Sequence, residues 1–164
     1  MHFRPLSESP FGISVEYPGA SISDFEMAEL RQLLDRHGLM VIRGQRLSEI
    51  QQADMVAAFG RVEINNQGAP FLMQVTNQYE DSSAPQGELG FHFDYSYDPR
   101  PTSVISLYGD EIVDGVTPTL FAQSTISPHE MPAELYKAIK GREAAHACFP
   151  EQFSYEFMQV HKGP

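Results

Sequence analysis

Apolar and polar positions along the chain fall into short blocks whose spacing changes from helical to strand-like partway through. Residues 1–20 are rich in Pro and Gly and predict one or two short strands with turns. Ser23-Asp24-Phe25-Glu26 has the spacing of a capping box: a hydroxyl, then a carboxylate three residues on. The run that follows sets Met27, Leu30 and Leu34 on one helical face, with Leu33 beside them. Gly38 accepts the positive φ at which helices stop, so the pattern predicts a helix over 24–37. Leu39-Met40-Val41-Ile42 then reads as a buried strand. Ser48-Glu49-Ile50-Gln51 repeats the capping spacing and opens a second helix to Phe59, closed by Gly60.

Beyond that point strands dominate. Residues 72–76 read as one, and the polar stretch 77–90 as a loop. Residues 91–95, 103–108 and 119–122 read as strands separated by Pro and Gly turns. A helix over 132–139 ends at Gly141, a strand follows at 143–149, and the tail from Glu151 to Pro164 has no clear period. Helices early and strands late predict an α+β fold rather than alternating βαβ units. The 164 residues suit a single domain, 1–164.

Composition narrows the function. With 41% hydrophobic and 20% charged residues the chain is of ordinary globular type. No apolar run approaches the roughly 18 residues of a membrane span. Met1-His2-Phe3-Arg4-Pro5 is followed by no apolar signal core, so a cytoplasmic protein is expected. Cys148 is the only cysteine, which excludes intrachain disulfides and thiolate-based zinc or iron–sulfur sites within one chain. The 22 acidic residues exceed the 11 basic ones for a net charge of −11, which argues against nucleic acid as a partner. Between Arg46 and Arg100 the only basic residue is Arg61, against eight carboxylates: Glu49, Asp54, Glu63, Glu80, Asp81, Glu88, Asp94 and Asp98. They read either as a solvated acidic face or as containing carboxylates that hold a cation.

The residues best suited to chemistry are His92-Phe93-Asp94. On a strand, His92 and Asp94 point one way and Phe91, Phe93 and Tyr95 the other. An imidazole and a carboxylate projecting together supply two of the three ligands of a facial 2-His-1-carboxylate site, which suits Fe(II) and leaves positions open for a co-substrate and O2. The same tripeptide also suits a surface hydrogen-bond pair. A hydrolytic acid–base dyad lacks a nucleophile, and no Gly-x-Ser-x-Gly elbow, P-loop or Gly-x-Gly-x-x-Gly is present. Cys148 reads as a small hydrophobe in a strand.

Several stretches together resemble the taurine dioxygenase (TauD/TfdA-like) family of Fe(II)- and 2-oxoglutarate-dependent oxygenases. His37-Gly38-Leu39-Met40-Val41-Ile42-Arg43-Gly44-Gln45 is similar to the family's first helix–strand junction, and Phe59-Gly60 to the end of its next helix. Phe91-His92-Phe93-Asp94-Tyr95-Ser96-Tyr97 resembles the metal-binding strand, usually Trp-His-x-Asp. Pro118-Thr119-Leu120-Phe121 resembles the strand written Gly-Gly-Asp-Thr-Leu-Phe/Trp, here with Val116-Thr117-Pro118 before the threonine. Met131-Pro132 and His146 follow the family order, so the resemblance covers roughly residues 5 to 150.

The resemblance implies a partial double-stranded β-helix (jelly roll) core with flanking N-terminal helices. It implies Fe(II) held by His92 and Asp94, 2-oxoglutarate as co-substrate with O2, and a hydroxyl from Thr119 toward the distal carboxylate of 2-oxoglutarate. The implied function is hydroxylation of a small organic substrate. Determinants of its choice would lie in the loop that begins at Asn77 and around Tyr95 and Tyr97.

Family members are longer, and their distal His ligand and 2-oxoglutarate-binding Arg have no match here. His129, His146 and His161 match neither. The chain therefore reads as the N-terminal part of a longer oxygenase domain, whose activity would need a complementing chain, a swapped strand or a longer parent. The alternative is a non-catalytic truncated homologue or interaction module. Missing strands would leave open edges and apolar surface, so a homo-oligomer or a complementing partner is expected.

Overall fold

The computed structural model describes residues 2–7, 9–16, 23–64, 68, 70, 72–76, 78, 90–98, 100, 102–113, 115–116, 118–125, 129–146 and 159–162, with only the backbone at 24 and 159–162. The chain divides into two units, Met1–Glu88 with Val104–Thr117, and Leu89–Ser103 with Pro118–Pro164.

The first unit is built on a three-stranded sheet. β1 (His2–Pro5), β2 (Ile13–Glu16) and β3 (Met40–Arg43) lie in that order, with β2 central. β1 runs antiparallel to β2, with Phe3 opposite Val15. β2 runs parallel to β3, with Ile13 beside Met40 and Val15 beside Ile42. Parallel neighbours need a crossover, and here it contains helix α1 (Asp24–His37). Side chains two apart on a strand share a face, so Ile13, Val15, Met40 and Ile42 form one apolar surface. Leu30 and Leu33 of α1 complete a buried cluster with Ile13 and Val15, flanked by Met27, Met40, Ile42 and Phe59.

Both predicted capping boxes form. The Ser23 N–H donates to Glu26 Oε2 at 3.0 Å, and the Glu26 N–H to Ser23 Oγ at 3.4 Å. α1 ends where Gly38 takes φ 72° and its N–H donates to the Leu34 carbonyl at 2.7 Å. In α2 (Glu49–Ala57) the Ser48 N–H donates to Gln51 Oε1 at 2.9 Å, and the Gln51 N–H to Ser48 Oγ at 3.3 Å. The α-helix stops two residues short of Phe59. The N–H groups of Ala58 and Phe59 reach back only three residues, to Met55 and Val56, which tightens the last turn.

The strands expected at 72–76 and 103–108 do not form ladders among the described residues. Side chains hold the second of these segments instead. Gln52 Nε2 donates to Ser106 Oγ at 3.1 Å, and the Leu47 N–H donates to Tyr108 Oη at 3.3 Å. A strand-like pattern becomes a strand only where a neighbour supplies the other half of the ladder.

In the second unit, α3 (Ala133–Ile139) begins after Pro132 and ends before Gly141 at φ 68°. β4 (Glu143–His146) pairs antiparallel with β5 (Gln159–Lys162), His146 opposite Gln159. The strand predicted over 143–149 is thus present to His146, and 147–149 lie outside the described residues. β5 is an addition to the sequence reading, since Gln159-Val160-His161-Lys162 has one β-branched residue and is defined by its partner. Residues 119–122 form no ladder among the described residues. The described elements make a small α+β fold. No described helix is long and apolar enough to cross a membrane.

Gly12 has φ 89°, and a Cβ there would lie 2.9 Å from Leu6 Cδ1 and 3.2 Å from Leu39 Cβ. Gly44 has φ 80° with open space around it. Gly44→Ala therefore incurs the left-handed backbone cost alone, about 1–2 kcal/mol. Gly12→Ala adds overlap worth a further ~1–3 kcal/mol. Urea unfolding should show Gly12→Ala as the less stable variant. Leu30, 1% exposed, should cost about 2–5 kcal/mol in the same assay when replaced by Ala.

Candidate metal centre

The predicted strand over 91–95 is replaced by a turn. Tyr95 has φ 56°, in the left-handed region that breaks a strand. The Asp98 N–H donates to the Tyr95 carbonyl at 2.9 Å, and Asp98 Oδ1 accepts from the Arg100 N–H at 2.7 Å. The chain thus bends just after Asp94. The aromatics expected to line a core are open: Phe91 and Phe93 are 71% and 59% exposed.

His92 and Asp94 nevertheless converge, as the sequence predicted, through the turn rather than through strand alternation. His92 Nδ1 lies 2.8 Å from the Gly90 carbonyl oxygen. A carbonyl only accepts, so Nδ1 carries the hydrogen. In the neutral ring Nε2 then presents a lone pair, and it lies 3.2 Å from Asp94 Oδ1. A carboxylate also offers only lone pairs. Two such groups at this distance attract when a cation, a proton or a metal ion, sits between or beside them. Anchoring the far nitrogen on a backbone carbonyl is the usual second support of a metal-binding histidine. The side chains of His92 and Asp94 are 58% and 41% exposed, so a solute can reach both, and as a simple ion pair they would contribute little.

Thr119 belongs to the same unit as this pair and is exposed, and no hydrogen bond or ion pair links it to His92 or Asp94. Asn77 and Cys148 lie outside the described residues. Tyr95 and Tyr97 come together, ring centres 5.9 Å apart and planes tilted 51°. The His146 ring packs on Phe93 at 6.1 Å, tilted 36°, and His129 is exposed. His161 lies in β5, where only the backbone is described. No group of three or more His, Cys, Asp or Glu residues able to hold a metal occurs among the described residues.

Two features of the site were not anticipated. One is the Gly90 carbonyl that fixes the His92 ring. Its only sequence signal is a glycine two residues before the histidine. The other is the left-handed Tyr95, for which a tyrosine gives no signal at all.

Compared with known sequence families, residues 2–163 match the one described as Taurine catabolism dioxygenase TauD, TfdA family. No curated protein and no solved structure matches the chain. The match spans His92, Asp94, Tyr95, Tyr97 and Thr119 within one continuous stretch. This chain belongs to the TauD/TfdA dioxygenase family.

Proposed function

We propose that the chain acts as an Fe(II)- and 2-oxoglutarate-dependent dioxygenase that hydroxylates a small organic substrate, with His92 Nε2 and Asp94 as two of the metal ligands. The observation that carries this reading is His92 Nε2 lying 3.2 Å from Asp94 Oδ1, on a ring whose Nδ1 lies 2.8 Å from the Gly90 carbonyl oxygen. One imidazole nitrogen and one carboxylate form a mixed donor set suited to Fe(II). Oxygenases of this family generally use Fe(II), 2-oxoglutarate and O2, which together supply the oxidising chemistry.

The chain's own residues do the positioning. The Gly90 carbonyl holds the His92 ring so that Nε2 faces outward. Asp94 adds negative charge that favours a dication. The Thr119 hydroxyl is assigned to the distal carboxylate of 2-oxoglutarate, and the loop from Asn77 to substrate choice. A jelly-roll core is the fold proposed around them. The third metal ligand comes from residues outside those described or from a partner chain. A cytoplasmic location accords with the single cysteine.

A second reading is an interaction module of the same fold without catalysis. Its support is the set of exposed apolar side chains in the first unit, such as Val75, Leu107 and Ile112.

Metal counting separates the two. Anaerobic titration of the full chain with Fe(II), then 2-oxoglutarate, should give a saturable visible charge-transfer band at one equivalent of iron. His92→Ala and Asp94→Ala should each abolish it. Freely exchanging iron without a band would leave the interaction module as the reading. Sedimentation should show association, by self-pairing or with a complementing chain. A stable monomer that binds no iron would contradict both readings.

A further inference from the structure

The turn that carries His92 and Asp94 is shaped by short-range bonds. His92 Nδ1 meets the Gly90 carbonyl, the Asp98 N–H meets the Tyr95 carbonyl, and the Arg100 N–H meets Asp98 Oδ1. Each joins groups two or three residues apart, so each bends the segment without tying it to the rest of its unit. A contact from farther along the chain supplies that tie. The His146 ring lies 6.1 Å from the Phe93 ring, planes tilted 36°, within the range of an attractive aromatic pair. Both residues belong to the second unit. His146 ends β4, whose ladder with β5 fixes its backbone opposite Gln159. It is the one half-buried residue of that strand, the other three being exposed. Phe93 remains 59% exposed despite the contact. Burial is therefore the smaller part of what the pair achieves, and orientation the larger.

Phe93 sits between the two donors, and its backbone torsions join them. Two ligands of one metal, with bonds of about 2.1 Å, lie roughly 3.0–3.4 Å apart. His92 Nε2 lies 3.2 Å from Asp94 Oδ1. With side chains 58% and 41% exposed, the donors themselves are little restrained by packing. Fixing the residue between them lowers the ordering cost that metal binding would otherwise meet. We propose that His146 is a positioning residue for the metal centre: its ring, seated on Phe93 and carried by the end of β4, holds the His92–Asp94 turn at the spacing that one divalent cation takes. Among the described residues His146 forms no three-donor group with His92 and Asp94, so it acts through Phe93 and not as a ligand. This role rests on the metal reading above.

The test follows two quantities in the full chain. One is uptake of Mn(II), a divalent ion for oxygen and nitrogen donors, read from the EPR signal of the free ion. The other, independent of metal, is hydrogen exchange at the Asp98 amide, which closes the turn on the Tyr95 carbonyl. His146→Ala should weaken Mn(II) binding roughly 2- to 10-fold, the range of one aromatic contact, and should speed Asp98 exchange. His146→Phe restores a ring without a metal-binding nitrogen and should return both quantities to those of the unsubstituted chain. Phe93→Leu should weaken binding as His146→Ala does, and the double variant should bind no more weakly than either alone. Where His146→Ala fails to fold, Phe93→Leu and His146→Phe decide. Loss of Mn(II) binding in His146→Phe would make His146 a ligand and overturn the proposal. So would a lower melting temperature in His146→Ala with unchanged Mn(II) affinity, the mark of an ordinary packing contact; that result leaves the metal reading standing. If the unsubstituted chain takes up no Mn(II), the metal reading fails, and the positioning role fails with it whatever the exchange rates show.

Discussion

The parallel pairing of β2 with β3 is the constraint on which the first unit depends. Ile13 and Val15 are fully buried on the central strand, and each has an apolar neighbour in register on β3. Burial of side chains of this kind stabilises by about 1.5–3 kcal/mol apiece. That gain is available only if the chain can leave β2, traverse a helix and return in the same direction. The Ser23–Glu26 box starts the helix, Gly38 stops it, and Leu30 and Leu33 press its inner face onto the sheet. Gly12 admits the Leu6 and Leu39 side chains at the point where β2 begins. A Cβ there would push against both.

The second unit answers to a different constraint. It shows no buried cluster among its described residues, and its ordering contacts around His92 are polar or aromatic. The Gly90 carbonyl fixes one imidazole nitrogen, and the other lies 3.2 Å from an Asp94 oxygen. In water this arrangement gains little by itself. The His146 ring against Phe93 provides a further support from β4, reached through the residue between the two donors.

The legibility of the sequence follows the same division. Helix α1 and the starts of α1 and α2 were readable because capping boxes and a C-terminal glycine act within a few residues. β3 was readable because an apolar run followed directly on a helix stop. The segments 91–95, 103–108 and 119–122 have strand composition but no ladder among the described residues, since pairing depends on partners distant in sequence. At the candidate site, the convergence of His92 and Asp94 was legible and the means of bringing them together was not. Strand alternation predicted that His92 and Asp94 share a face. They meet instead through a turn closed by the Asp98 N–H on the Tyr95 carbonyl. The roles of Thr119 and Asn77 came from family likeness, which fixes order along the chain and not geometry.

Local sequence and local structure disagree most at Tyr95. Aromatic residues at 91, 93, 95 and 97 alternate as in a strand, while Asp94, Ser96 and Asp98 between them favour turns. The backbone turns left-handed there all the same. A straight strand would carry Tyr95 onward from Asp94 along the sheet direction. With the bend, the Tyr95 and Tyr97 rings lie against each other, centres 5.9 Å apart. Glycine would make the same bend without strain but would leave no ring. The tyrosine therefore carries a backbone cost that its ring contact with Tyr97 offsets in part.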